Sequence, residues 1–366
     1  MTRQQLIEKR KKKKRRQLMV KGGIGVSVCV ILLLLIFAVI PQVRKLSGSS
    51  KTGTNTEVEE VSTDTATTAA ITDGRSGIAG WNISPDGWWY QNEDNTVYTS
   101  GWKTIDGQRY YFTDKGYMAT GWVNTGDITD SYFDASGVID TTKKQKLIAL
   151  TFDDGPSKNT DTILDALEQY GAKATFFVVG TQAEYYTDQL KREASLGMEI
   201  GSHTYEHMIL KGATADAIKT TLDKNDEVIS DLCGVTPVIM RPTGGGVDKT
   251  VATSVTKPMI QWNIDTLDWK TRDTESTYDA VVSNAADGDI VLMHDLYQAT
   301  AEAAVKMIPK LQEMGYKLVT VSELAEAYGY TLETGGLYFD FPPGGTSKNN
   351  KSPSELLEAV DNGYTA

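Results

Sequence analysis

Two adjacent carboxylates close an apolar run. In IALTFDDGPS, residues 148–157, Asp153 and Asp154 stand side by side before Gly155 and Pro156. Neighbouring acids repel and cost stability unless a cation or a proton-transfer task divides their roles. The chain has three histidines, and each follows a strand-like run as the acid pair does: His203 and His207 in GSHTYEH, His294 in DIVLMHD. Four residues apart, His203 and His207 would face the same way on one helical turn and take one metal together. Neutral imidazole suits zinc, iron, cobalt or nickel. A carboxylate from Asp153 or Asp154 would complete a three-ligand set with open positions. Side chains that neighbour each other at a strand end point in different directions. One acid can therefore bind the metal while the other acts as a base.

The elements that must position these groups begin near Lys146. KLIALTF, KATFFVV, MEIGS, PVIMR, PMIQWNI, DIVLMH and KLVTV read as short strands. TILDALEQYGA, DQLKREASLG, ADAIKTTLDKNDEVISDL and TAEAAVKMIPKLQEMG read as helices between them. This alternation predicts a parallel α/β fold, a (β/α) barrel. In a barrel the C-terminal strand ends form one face and hold the active site, so one site can gather all five groups. The stretch from about Gly329, with FPPGGTSKNNKSPSE, is expected to be an irregular tail over 329–366.

The other end of the chain has a different task. Residues 1–45 hold 12 of the 37 Lys and Arg with only one acid, Glu8, and the remainder carries 25 basic and 47 acidic residues. That balance excludes nucleic acid as a partner. KRKKKKRR, residues 9–16, lies in a basic segment over 1–21, and residues 22–43 contain no charge. Twenty-two helical residues reach about 33 Å, enough to cross a hydrocarbon core of about 30 Å. The basic flank predicts a cytoplasmic N-terminus, a single transmembrane helix and everything after it outside. Cleavage as a signal peptide is the weaker reading, since no A-x-A site follows the run. Cys29 and Cys233 would not meet, and an exported chain without disulfides suits a bacterial cell surface. Residues 44–76, rich in Ser, Thr and Gly, read as a flexible linker.

Residues 77–141 repeat. Gly80-Trp81, Gly101-Trp102 and Gly121-Trp122 recur at spacings of 21 and 20, and five of the seven Trp fall here. Each unit reads as a β-hairpin that stacks on its neighbours to bury aromatics. The module resembles the cell-wall-binding repeats of choline-binding and glucan-binding surface proteins. That resemblance implies a choline or sugar ligand on the rings; the rings holding the hairpins together is the plainer alternative.

TFDDGPS (151–157), HTYEH (203–207), RPTGG (241–245), DTLDW (265–269) and LMH (292–294) occur in the order of five motifs of the NodB-like polysaccharide deacetylases, carbohydrate esterase family 4. The resemblance covers about residues 145–328. It implies a distorted barrel, with Asp154, His203 and His207 holding a divalent metal, usually zinc, with cobalt an alternative. It implies Asp153 as general base, His294 as general acid, Arg241 as the partner of Asp153 and Asp268 as the residue that orients His294. Trp269 and Leu292 would line the acetyl pocket, and the Gly244 N–H would help bind the oxyanion. Motif three departs from the common R-P-P-Y-G, having Thr243-Gly244-Gly245 where the family has Pro-Tyr-Gly. The groove wall there is smaller, which puts substrate preference in question more than chemistry.

The expectation is a membrane-tethered, extracytoplasmic, metal-dependent deacetylase acting on cell-wall polysaccharide, peptidoglycan N-acetylglucosamine first. Chitin-like oligomers, exopolysaccharide and O-acetylated glycans are alternative substrates, and a non-catalytic glycan-binding protein is an alternative function. The pattern H-x-x-E-H, with Glu206 as base, also fits an inverted zinc protease, but it leaves Asp153, Asp154, Arg241 and His294 without roles.

Overall fold

The computed structural model describes residues 64–364. The basic segment, the membrane helix expected over 22–43 and the linker up to residue 63 lie outside the described residues. Among the described residues no helix is long and apolar enough to cross a membrane.

The glycine–tryptophan repeat folds as stacked hairpins because turn-forming pairs separate its aromatic runs. Strands β1 (Thr67–Ala70), β2 (Gly80–Ser84), β3 (Gly87–Gln91) and β4 (Thr96–Thr99) form one antiparallel sheet in the order β1-β4-β3-β2. Two more hairpins follow, β5 (Gly101–Ile105) with β6 (Gln108–Phe112), and β7 (Gly121–Val123) with β8 (Ser131–Phe133). Asp106 and Gly107, in the tight turn between β5 and β6, both have positive φ, which such turns require. Rings bridge the units: Trp81 contacts Tyr110 at 4.8 Å, and Trp102 contacts Phe133 at 5.5 Å. The stretch read as linker is partly structured. Residues 64–76 belong to this module, because β1 pairs with β4 and Asp64 bonds Lys103 and Thr104.

The barrel strands are β9 (Lys146–Asp153), β10 (Thr175–Val178), β11 (Glu199–Ser202), β12 (Met259–Ile260), β13 (Ile264–Asp265), β14 (Asp289–His294), β15 (Tyr316–Leu318) and β16 (Leu337–Tyr338). Their ladder pairings are all parallel, and the path β11-β10-β9-β14-β13 is continuous. The ring closes irregularly. Met240 bridges Ser202 on one side and Met259 on the other, and a few residues on β13 pairs with β14. The run PMIQWNI is thus one broken strand with a partner at each end. PVIMR contributes only the bridge at Met240.

Strand β9 is buried along nearly its whole length, as expected when both faces of a parallel sheet are covered. Alternation sorts its side chains. Ile148, Leu150 and Phe152 pack outward with Ile163, Leu164 and Leu167 of the helix Thr160–Gln169 and with Met307, Ile308 and Leu311 of the helix Gln298–Glu313. Leu147 and Ala149 face Phe177, Ile260 and Ile290 inside the ring.

The tail corrects its reading. Residues 329–366 are not simply irregular: β16 pairs with β12, and the helix Pro353–Asp361 starts from a capping box at Ser352 and Glu355. Tyr338 and Phe341 enter the barrel interior, and Leu356 packs with Val251 and Met259. Proline and glycine dominate the local sequence, but long-range burial overrides that signal. The repeat module docks near the start of β9. Lys317, in register with Leu147, bonds Asp130 at 2.6 Å, and Asp130 N–H donates to Gln145 at 2.6 Å. This is the end of the barrel away from Asp153.

Phe341 is completely buried, so Phe341→Ala is expected to lower unfolding free energy by about 3–5 kcal/mol. Urea denaturation of the full chain measures this; an unchanged midpoint would show that the tail is not part of the core.

Candidate active site

The parallel register delivers the chemistry to one rim. His294 and Asp153 are direct neighbours on β14 and β9, and Asp153 in turn faces Phe177 on β10. His203 N–H donates to Val178 O at 3.0 Å just beyond β11. Four adjacent strand ends therefore converge, and Arg241 follows from the next segment, its N–H donating to Ser202 O at 3.0 Å.

His203 and His207 do not share a helical turn. They lie in a loop after β11 that passes through the left-handed region twice, at Thr204 (φ 68°) and His207 (φ 56°). A β-branched residue at positive φ is strained. Thr204 is held there by a bond from Met208 N–H to its hydroxyl, 2.7 Å, and by Gly180 N–H donating to its carbonyl at 3.3 Å. The effect is that of the expected helix, two imidazoles on one side, by a different backbone route.

Asp154 also sits in the left-handed region, φ 73°, a conformation that Asp tolerates better than most residues. Its side chain turns toward the imidazoles. One ligand atom each from Asp154, His203 and His207 lies within 4.8 Å of the others. Asp154 Oδ1 is 2.9 Å from His207 Nε2 and 3.4 Å from His203 Nε2. It is nevertheless a buried oxygen without an aligned hydrogen bond. His203 Nδ1 lies 2.8 Å from the Arg241 carbonyl. A carbonyl can only accept, so Nδ1 carries the proton and Nε2 presents a lone pair. An orphaned carboxylate oxygen facing two imidazole nitrogens fits a divalent transition metal. Burial alone would raise the Asp154 carboxyl, but the two imidazoles hold it far below the usual carboxylate range.

Asp153 has a different main partner, although its Oδ2 lies 3.8 Å from His203 Nε2. Its Oδ1 accepts from Arg241 Nη1 at 2.6 Å, and both side chains are buried. Arg241 also donates to Thr151 Oγ1 at 2.7 Å, Ile260 O at 3.1 Å and Gln261 O at 2.9 Å. Burial lowers the guanidinium pKa, and the Asp153 charge opposes that shift. Across the rim, Asp268 Oδ1 stands 2.8 Å from His294 Nδ1, while its Oδ2 accepts from His294 N–H at 2.8 Å and Thr300 Oγ1 at 2.7 Å. Leu267, in the left-handed region at φ 53°, turns the chain so that Asp268 faces inward. Burial pushes the His294 pKa down, yet Asp268, Asp153 and Asp154 outweigh it and raise the imidazole to about 9.

The remaining expected residues form the surroundings. Trp269 is 47% exposed beside Asp268, and Leu292 is buried on β14. Gly244 is exposed at φ 67° in the turn Thr243–Gly245, and the Ile209 side chain borders the space above it. Glu206 is exposed, and the protease reading still gives no role to the Asp153–Arg241 and Asp268–His294 pairs. Thr300, which binds Asp268, carried no signal in the sequence, and Thr151, which binds Arg241, stood in the TFDDGPS motif without an assigned role. Asp295 did carry a signal, as the residue after His294. It is fully buried, and burial pushes its carboxyl up to about 7.

A metal-ligand trio, with His203 buried, Asp154 half-buried and His207 exposed, beside a carboxylate–arginine pair and a carboxylate–histidine pair, on the rim of a distorted α/β barrel, defines a hydrolytic class of site. Comparison with known proteins narrows it. The polysaccharide deacetylase family model matches residues 140–260, and a choline-binding repeat matches residues 99–142. The chain is similar to a peptidoglycan-N-acetylglucosamine deacetylase of Listeria monocytogenes, 41% identical over 199 residues, which cover 54% of this chain and 42% of the relative. This chain thus spans less than half the length of that relative. It is also similar to a peptidoglycan-N-acetylglucosamine deacetylase of Bacillus cereus, 35% identical over 189 residues, 49% of this chain and 88% of the relative. Among solved structures, a family 4 acetyl xylan esterase from Clostridium thermocellum in complex with a cobalt ion superposes with a TM-score of 0.51 at 32% identity, covering 54% of this chain and 100% of that one. The chain belongs to the polysaccharide deacetylase family.

Because the folded pKa of His294 lies above its ordinary value of about 6.5, the charged imidazole contributes stability that is full below about pH 6.5 and lost as pH rises toward about 9. In the metal-free chain, Asp268→Asn is expected to move the NMR titration midpoint of His294 back toward the ordinary value. A midpoint that stays in place would remove Asp268 as the cause.

Proposed function

We propose that this protein removes acetyl groups hydrolytically from an N-acetylated cell-surface polysaccharide, with peptidoglycan N-acetylglucosamine as the substrate. One observation carries the reading: the acid, the base and the three ligands meet at one end of the barrel, each with its own fixed partner. Similarity to peptidoglycan deacetylases of two species supports the substrate. The likeness to an acetyl xylan esterase favours O-acetyl glycans as the second reading.

Asp154, His203 and His207 would hold the metal, zinc by preference or cobalt. When bound, it supplies Lewis acidity to the acetyl carbonyl and brings the pKa of water toward about 7. Asp153, paired with Arg241, takes the proton of the attacking water. The Gly244 N–H is the chain's candidate donor to the developing oxyanion. His294, charged at neutral pH and held through Nδ1 by Asp268, gives a proton from Nε2 to the departing sugar amine. Leu292 and Trp269 bound the space for the acetyl methyl. Acetate and a free amine are the products.

The tethering reading completes the proposal. Residues 22–43 span the membrane of a bacterial cell with residues 1–21 in the cytoplasm, so that the described domains lie outside. The repeats hold the enzyme against the wall through their rings, on a sugar face or a choline cation. Support for a cation comes from Arg109, 4.1 Å above Trp102, and Lys143, 3.6 Å above Tyr132. These faces already favour positive charge.

Acetate release from N-acetylglucosamine oligomers and purified peptidoglycan tests the activity. Release is expected to vanish with chelator and to return with zinc or cobalt. Asp153→Asn and His294→Ala are each expected to lower kcat, measured per folded molecule, about 100- to 10,000-fold. Release from acetylated xylan alone would move the substrate to O-acetyl esters. Glycan binding without release under any metal would leave a binding protein.

A further inference from the structure

Asp295 follows the general acid but points away from it. Its side chain is completely buried and carries two distinct contacts. Oδ2 accepts a hydrogen bond from Thr160 Oγ1, while Oδ1 has no hydrogen-bond partner. Both oxygens press on the backbone of Gly155: a Cβ placed on Gly155 would overlap them and the carboxyl carbon, and those are the three nearest atoms it would meet. Gly155 has no positive φ, so backbone conformation does not demand glycine here. The requirement for glycine comes from the Asp295 carboxyl.

Gly155 is the residue after the metal ligand Asp154, whose own backbone is held at φ 73°. The turn beyond it is clamped from the same side. Ser157 Oγ donates to Asp295 O at 2.7 Å, Asn159 Nδ2 donates to Leu296 O at 2.8 Å, and Ser157 N–H donates to Thr160 Oγ1 at 2.7 Å. On the other side Gly155 O accepts from Val179 N–H at 3.0 Å. The loop that presents Asp154 is thus gripped between the segment after β14 and the segment after β10. The Asp295 carboxyl fills the space where the grip is closest.

We propose that Asp295 is a positioning residue for the metal site: by packing its carboxyl on Gly155 and bonding Thr160, it fixes the Asp154 turn and so sets the affinity of the Asp154–His203–His207 trio for its metal. It touches neither substrate nor ligand atoms. The inference rests on the reading of those three residues as metal ligands. Groups that orient a ligand from behind are worth about 10- to 100-fold in metal affinity, which sets the size of the expected effect.

The test is zinc affinity of the full chain, measured by competition with a chromophoric chelator, alongside the melting temperature of the metal-free form. Asp295→Ala is expected to weaken zinc binding about 10- to 100-fold. Asp295→Asn keeps the size and the acceptor for Thr160, and is expected to stay within about threefold of the parent on the same scale. Gly155→Ala, which collides with the carboxyl, is expected to weaken zinc binding about tenfold or more, and adding Asp295→Ala to it is expected to recover part of that loss by making room for the methyl. The paired variant keeps the test decisive if Asp295→Ala alone does not fold. Parent-like zinc affinity in Asp295→Ala, or a Gly155→Ala loss that Asp295→Ala leaves unrelieved, would overturn the proposal while the metal site itself stood. A parent chain that binds no zinc would overturn the ligand reading as well.

Discussion

The structure is organised around one buried cation. Arg241 has no exposed surface, and a guanidinium out of water is tolerated only when its donors are all used and its charge is matched. Here they are. The side chain joins Thr151 and Asp153 at the end of β9 to the carbonyls of Ile260 and Gln261, while its backbone carbonyl holds His203 and its N–H pairs with Ser202. A single residue therefore ties the base, one metal ligand and the broken strand that closes the barrel. Its rings of contact include Phe177, 4.2 Å from the guanidinium carbon. Removing one partner of such a pair leaves the other charge buried alone, a cost of about 3–5 kcal/mol.

That constraint separates the two acids. Asp153 and Asp154 are adjacent in sequence, yet one pairs at 2.6 Å with a guanidinium while the other lies between two imidazoles. The left-handed turn at Asp154 makes the separation, since an extended residue there would continue the strand and carry the side chain elsewhere. The third site of charge, His294 with Asp268, sits on the neighbouring strand and stays protonated because three carboxylates outweigh its burial. Acid and base thus have separate partners although they stand on adjacent strands.

Much of this was legible in the chain. The strand runs and the helices between them mark the parallel fold, because alternating burial leaves apolar runs bounded by turns. The acid pair, the histidines, Arg241 and Asp268 were all found, since they follow those runs or fall in ordered motifs. The repeat was visible through its tryptophans. What escaped detection has a common cause. The 329–366 tail is rich in glycine, proline and polar residues, and only burial of Tyr338, Phe341 and Leu356 against distant segments gives it structure. The 64–76 stretch becomes a strand only by pairing with β4. Thr300 is an ordinary threonine, and Thr151 a motif residue without a role, until the fold places a charged group beside each.

The sequence by itself determined which residue types could do the chemistry and on which ends of which elements they fall, because hydrophobic periodicity and residue chemistry are local properties. It did not determine how the two histidines converge. Their four-residue spacing suggested a helical turn, and the chain instead uses a loop with two left-handed residues, held by hydrogen bonds from Met208 and Gly180. Residue chemistry alone also left open which acid meets the metal ligands and which meets Arg241; the family resemblance assigned Asp154 and Asp153 to those places, and the structure agrees. Those choices depend on strand register and on contacts across the barrel, and only the tertiary structure brings residues 153, 203, 241 and 294 within reach of one another.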